Sequence, residues 1–247
     1  MTERSDAIAA WLLERLDLTH RPGIDLNLLA TRMGVVEILE AEMAEDGRLE
    51  QDGRRATIYL RSGLGRGRQR FTLAHELAHR ALIHPNAPAI AYRRIGNSDD
   101  EERLCDEVAA ALLMPRHWMR GLTARPPNLS TLRYIAHHAH VSLSAALVRS
   151  REVNHWRSSL LRFSFEQDKW RLQGASGVPA EWHRSIRSSP STHDYLNRLP
   201  NRRDTECTVP LRADLYEFEA PCQIDKSRLS AVVLAGLDSQ LRLFRRS

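Results

Sequence analysis

"RQRFTLAHELAHRALIHP", residues 68–85, decides how this chain is read. Its apolar residues recur at helical spacing, which predicts a helix over about 70–84, stopped by Pro85. His75 and His79 stand four residues apart, so they project from one helical face, close enough for both imidazoles to reach a single metal ion. Glu76 lies about 100° round from His75, beside such an ion rather than on it. The pattern is His-Glu-x-x-His, in which the acid serves as general base toward water. An amphipathic helix carrying two ordinary histidines is the plain alternative, because the chain holds 11 histidines.

A catalytic zinc site needs a third protein ligand and keeps a fourth position open. A glycine at 82 and a histidine at 85 would supply the ligand from the same helix, but Leu82 and Pro85 stand there. His84, five residues past His79, is about 140° round and out of reach. The ligand therefore comes from another element. "DDEERLCDEVAAALLMP", residues 99–115, predicts a second helix over 98–114, capped by Ser98 with Glu101 three residues on. Glu102 and Asp106 are again i and i+4 on one face. Metal-binding histidines donate their second ring N–H to a carboxylate, which sets tautomer and orientation. Glu102 as ligand and Asp106 as histidine partner fill both roles from one helix. Acids also collect in a first helical turn because of the macrodipole, which accounts for Asp99, Asp100 and Glu101 but less well for Asp106, farther along the helix.

"RFTLAHELAHRALIH" followed by an E-x-x-x-D helix running into "VAAALLMP" resembles the ImmA/IrrE family of metallopeptidases. The strong similarity covers roughly residues 68–115. It implies an α+β chain: a small thermolysin-like zinc-peptidase domain, a helix-turn-helix-like segment and a C-terminal α+β domain. Carried over by position, His75, His79 and Glu102 are the zinc ligands, Glu76 is the catalytic acid/base and Asp106 stands behind the ligands. Members of the family act on DNA-binding repressors, so the resemblance implies a protein substrate of that kind. Cys105 stands where the family commonly has alanine, and Val108 where it often has phenylalanine. Neither removes a ligand, though Cys105 brings a thiol near the metal.

The chemistry this implies is peptide hydrolysis, with Glu76 taking a proton from water and returning it to the leaving amine. Tyr92, His84 or a residue of the Arg-rich loop is the candidate to steady the oxyanion. "ATIYLR", residues 56–61, is either the edge strand along which an extended peptide lies or a plain core strand.

Around this centre the chain divides into 1–122, the zinc domain; 123–157, the helix-turn-helix-like segment; and 158–247, a small α+β domain. The zinc domain opens with an amphipathic helix, a short helix capped by Asp25 and closed by Gly34, and a strand in "VVEILEAEM". In the middle segment Ser142 caps the second helix, and Ser142, Ser144 and Arg149 are all it offers a DNA groove, so any direct nucleic-acid binding is expected to be weak. His137, His138 and His140 raise the question of a second metal, but their spacing suits an exposed helix end better. "LLRFSF", "KWRLQG", "TECTVPL", "DLYEFEA" and "SAVVLAG" read as strands, "RFSFEQDKWRL" as a hairpin, and a stretch over 179–199 as short helices. Some relatives carry a sensor-like domain in this place, an analogy that names no ligand.

With 247 residues, three cysteines and no C-x-x-C pair, neither a disulfide framework nor a cysteine-only zinc site is expected. No apolar run approaches the ~20 residues of a membrane helix, and the N-terminus is no signal peptide, so a cytoplasmic protein is expected. A net charge of +5, mostly arginine spread along the chain, permits a nucleic-acid or acidic partner. The rival functional class is a transcriptional regulator, or a repressor-binding adaptor, with a non-catalytic zinc domain.

Overall fold

The computed structural model describes residues 3–16, 22–92, 96–178, 186–187, 190–213, 216–236 and 242–245. The fold is mixed α+β. The chain packs as two units, Met1–Leu122 with Ile135–Arg149, and Thr123–Tyr134 with Ser150–Ser247.

The first unit runs α1 (Glu3–Glu14), α2 (Leu26–Arg32), β1 (Val35–Ala41), β2 (Gly47–Asp52), β3 (Arg55–Arg61), α3 (Arg66–Leu82), α4 (Ser98–Leu113) and α5 (Arg116–Thr123). The Asp25 side chain caps α2 by accepting from the N–H groups of Asn27 and Leu28, and Gly34, at φ +79°, turns the chain out of it. The strands order β1-β3-β2, with β1 parallel and β2 antiparallel to β3. Ala56, Ile58 and Leu60 alternate inward along β3. Of the two readings open for "ATIYLR", the core strand is the one realised. The edge on that side is β2, whose polar sequence GRLEQD leaves it largely exposed.

α3 begins at Arg66, four residues earlier than its periodicity predicts, because Gly65 takes the N-cap conformation and arginine propagates a helix well. It stops at Leu82, short of Pro85, which disfavours helical backbone in the residue before it. Its buried face includes Ala74, Leu77, Ala78 and Ala81, and α4 buries Leu104, Cys105, Val108, Ala109 and Leu112. Small residues on both faces bring the two helices close. The cap of α4 is Asn97 rather than Ser98: the Asn97 side chain accepts from the Asp100 N–H at 2.8 Å. Buried Arg80 ties α3 to the strands through hydrogen bonds to the carbonyls of Met33 (3.0 Å) and Arg54 (2.8 Å).

α6 (Leu129–Ala139) and α7 (Leu143–Asn154) meet at a tight turn where His140 adopts φ 54°. Asn128 caps α6 by accepting from the Thr131 N–H, and Ser142 caps α7 by accepting from the Ala145 N–H.

The second unit is built on an antiparallel sheet of β4 (Ser158–Glu166), β5 (Lys169–Ser176), β6 (Ile186–Arg187), β7 (Arg202–Ala213), β8 (Tyr216–Lys226), β9 (Ser230–Gly236) and β10 (Arg242–Arg245). Its order is β5-β4-β9-β8-β7-β6, with β10 paired to β8. Gln167 and Asp168, at φ 50° and 59°, form the two-residue turn whose twist suits the β4–β5 hairpin. Leu161, Phe163, Trp170, Val209, Ile224 and Val233 make the core, joined by Leu196 of α8 (Pro190–Arg198). Residues 179–185, part of the stretch read as short helices, lie outside the described residues. Among the described residues no helix is long and apolar enough to cross a membrane.

Candidate metal centre

α3 and α4 lie side by side and turn four predicted site residues toward one point. His75 Nδ1 is 2.8 Å from Asp106 Oδ1, and His79 Nδ1 is 3.2 Å from Glu101 Oε1. A carboxylate accepts and cannot donate, so each contact places the ring proton on Nδ1. Both Nε2 atoms then carry lone pairs. They face each other at 3.1 Å, and Glu102 closes the triangle with Oε2 3.1 Å from His75 Nε2 and Oε1 3.3 Å from His79 Nε2. With the ring protons on Nδ1, three acceptors converge, an arrangement suited to a cation. A tetrahedral centre with ligand bonds of ~2.0–2.1 Å sets its ligand atoms about 3.3 Å apart, so His75, His79 and Glu102 have the spacing that would hold a metal ion.

The surroundings favour a cation as well. The cleft above the triangle, about 680 Å³, is lined by Glu45, Asp46, Glu76, Glu101, Glu102 and Asp106 against Arg48 and Arg68. The Glu102 and Asp106 side chains are 56% and 60% exposed, whereas those of His75 and His79 are 15% and 20% exposed, so the centre is walled on the histidine side and open on the carboxylate side. Burial works against a charged His75, but its hydrogen bond to Asp106 and the charges of Asp106, Glu76 and Glu102 outweigh it and hold the imidazole above its ordinary value.

Glu76 lies on the inner side of α3, only 6% exposed, and lines the same cleft. Burial above all, against the pull of His75 and with a further push from the charge of Glu102, raises its carboxyl to about 7. A carboxyl poised near neutrality can both take and return a proton. Gly47, the first residue of β2, makes this placement possible. A Cβ there would fall 2.6 Å from Glu76 Oε1 and 2.5 Å from Thr72 Cγ2, so only glycine lets the edge strand lie this close over α3.

His75, His79, Glu102, Glu76 and Asp106 are therefore brought together. Glu101, assigned from sequence to the helix dipole, instead faces His79. Its three-residue offset from Ser98, which reads as a capping box, conceals this; the signal was that His79 needed its own acceptor. Of the oxyanion candidates, His84 points elsewhere: its ring packs edge-on against Trp11, centroids 5.4 Å apart, and its Nδ1 accepts from the Asn86 N–H. The Tyr92 side chain lies outside the described residues. Arg68 does line the cleft, paired with Asp46 at 2.5 Å.

Three lesser possibilities raised by the sequence find no support. Cys105 is fully buried, and burial with four carboxylates nearby pushes its thiol far above the ordinary range, so it offers no thiolate. Arg149, the arginine considered for DNA, is 1% exposed; it donates to Asp6 at 2.6 Å and to the Met114 carbonyl at 3.1 Å. His137, His138 and His140 form no metal-holding group among the described residues.

Residues 29–151 match a peptidase family model described as the IrrE N-terminal-like domain. A solved structure of a Mycobacterium tuberculosis transcriptional regulator superposes with a TM-score of 0.51 over 95% of this chain and 76% of that one, at 14% identity, a likeness of fold alone. No curated protein matches the sequence.

Proposed function

This chain belongs to the ImmA/IrrE family of metallopeptidases, and we propose that it is a cytoplasmic, zinc-dependent endopeptidase cutting a specific protein partner, a helix-turn-helix repressor. The observation that carries the reading is the convergence of His75, His79 and Glu102 with a near-neutral, buried Glu76 beside them. A purely structural metal site has no use for Glu76.

His75, His79 and Glu102 would hold the zinc, and Asp106 and Glu101 fix the ring orientations from behind. A zinc ion bound there would act as a Lewis acid, polarising the scissile carbonyl and lowering the pKa of water toward ~7. Glu76 accepts the water proton at its carboxylate and delivers it to the departing amine. β2, the strand edge beside the cleft that Arg48 and Leu49 line, gives an extended peptide an outer edge along which to pair. Arg68, at the cleft wall, supplies positive charge near the developing oxyanion. The repressor as partner follows from the family resemblance, and the sparse cysteines and absence of a membrane-length helix among the described residues support the cytoplasm.

The test is purified protein loaded with zinc and offered helix-turn-helix repressors. Wild type should cut one of them, and Glu76→Gln should keep its zinc, lose at least about a hundredfold in rate and retain the uncut repressor. Undiminished cleavage by Glu76→Gln, or wild type that binds no zinc, would overturn the proposal.

A further inference from the structure

A second cleft, of about 700 Å³, opens in the same unit between the first turns of α3 and the α6–α7 turn. Its polar wall is basic: Arg66, Arg68 and Arg70 from α3 and His137 and His140 from the end of α6, with no carboxylate among its lining residues. Arg66 is exposed and has no acidic partner among the described residues. Arg70 donates through Nη2 to the Ile24 carbonyl at 2.7 Å, but its Nε–H is buried with no hydrogen-bond partner. α3 starts without a side-chain cap, and both α3 and α7 open onto the cleft at their first turns, adding partial positive charge. The floor is apolar, with Phe71, Ala136 and Val141.

This cleft adjoins the metal cleft, because Arg68 and Phe71 line both. The two have opposite character: carboxylates surround the metal centre, arginines and histidines the recess beside it. Arg68, paired with Asp46, stands at the border.

We propose that the basic cleft is a substrate subsite that receives a segment of the protein partner in which an acidic residue adjoins an apolar one, next to the peptide bond being cut. This rests on the peptidase reading. The charge of the wall selects the acid, and the floor under Phe71 and Val141 takes the apolar side chain. A duplex is a poor occupant, since reading DNA takes an element that protrudes into a groove, and here the basic groups line a recess. The subsite adds a selectivity that the metal centre lacks, because the centre acts on any peptide carbonyl presented to it.

The experiment uses the full-length, zinc-loaded Glu76→Gln protein and two labelled peptides, identical except that one carries Asp beside Leu and the other Asn beside Leu. Fluorescence anisotropy should show the Asp peptide binding about fivefold tighter at low salt, as expected for an exposed charge contact, with the preference fading as salt rises. Arg66→Glu in the same background should abolish the preference while leaving zinc content unchanged. His137→Glu, at a separate helix, should do the same, so a folding defect in one variant does not decide the matter. Equal binding of the two peptides, or a preference that survives both substitutions, overturns the subsite. Displacement of the Asp peptide by duplex DNA that binds tighter, and that loses its hold in Arg66→Glu, also overturns it. Cleavage by wild type of repressors with and without an acidic residue at equal rates removes the subsite and leaves the peptidase. An intact Asp preference in a wild type that cuts nothing removes the peptidase and leaves an acid-selective peptide site.

Discussion

Gly47 and Glu76 meet so closely that a methyl group on Gly47 would lie 2.6 Å from Glu76 Oε1. The same methyl would lie 2.5 Å from the Cγ2 of Thr72, which is buried and stiff at χ1. Glu76 can swing away, but Thr72 cannot, so the edge strand itself has to shift. Gly47→Ala should therefore cost about 1–3 kcal/mol of stability by overpacking and lower the rate of peptide cleavage, with zinc content unchanged. Thermal unfolding, metal analysis and a cleavage assay on the one variant check this; a fully active Gly47→Ala would show that β2 does not position Glu76.

Asp106 and Glu101 each hold one histidine by its Nδ1, at 2.8 and 3.2 Å. Asp106→Asn and Glu101→Gln should each weaken zinc binding by about 10–100-fold without emptying the site. Competition with a chromophoric chelator measures it. Affinity lost only in the Asp106 variant would mean that the Glu101 contact contributes nothing.

Chelation should destabilise the protein, since an ion that binds only the folded state contributes roughly 4 kcal/mol at a thousandfold excess over its Kd. His79→Ala should unfold at the temperature of the chelated wild type and respond to neither zinc nor chelator. A persistent zinc-dependent rise in its melting temperature would place the metal elsewhere.

Asp6 accepts from Arg149 at 2.6 Å and from Arg116 at 2.5 Å. Burial raises its carboxyl, but the hydrogen bonds and charges of the two arginines outweigh this and hold it below its ordinary 3.8. The unfolded chain thus takes up the proton first. The stabilisation is complete above about 3.8 and is lost as pH falls through the lower folded value. Asp6→Asn should cost roughly 3 kcal/mol near pH 7, because it strands the buried Arg149 charge. The gap between variant and wild type should close in acid; denaturant titrations at several pH values would reveal a gap that persists.

Arg149, the arginine of α7 considered for a DNA groove, is instead held by Asp6 and the Met114 carbonyl. Duplex binding by the isolated protein should be weak, salt-sensitive and indifferent to sequence. Arg149→Ala should lower stability and leave DNA affinity unchanged. Specific, tight binding in a gel-shift or anisotropy titration would restore the regulator reading.

The grouping of these candidate residues was legible in the chain. Helical spacing is a local property, so His75, His79 and Glu76 could be placed on one helix, and Glu102 and Asp106 on another, from their intervals alone. The hairpin at Gln167 and Asp168 and the caps at Asp25 and Ser142 are likewise written in neighbouring residues. Tertiary structure decided the rest. β3 became the central strand because β1 pairs along its other side in parallel, a partnership that no turn between adjacent strands announces. Glu101 turned to His79 across two helices, 22 residues apart in the chain. Arg149 went inward to meet a carboxylate 143 residues away. Gly47 had to be glycine for the sake of Thr72 and Glu76 on another element. Periodicity and capping act within a turn or two of the chain, whereas strand order, charge burial and close backbone approach depend on which distant segments meet.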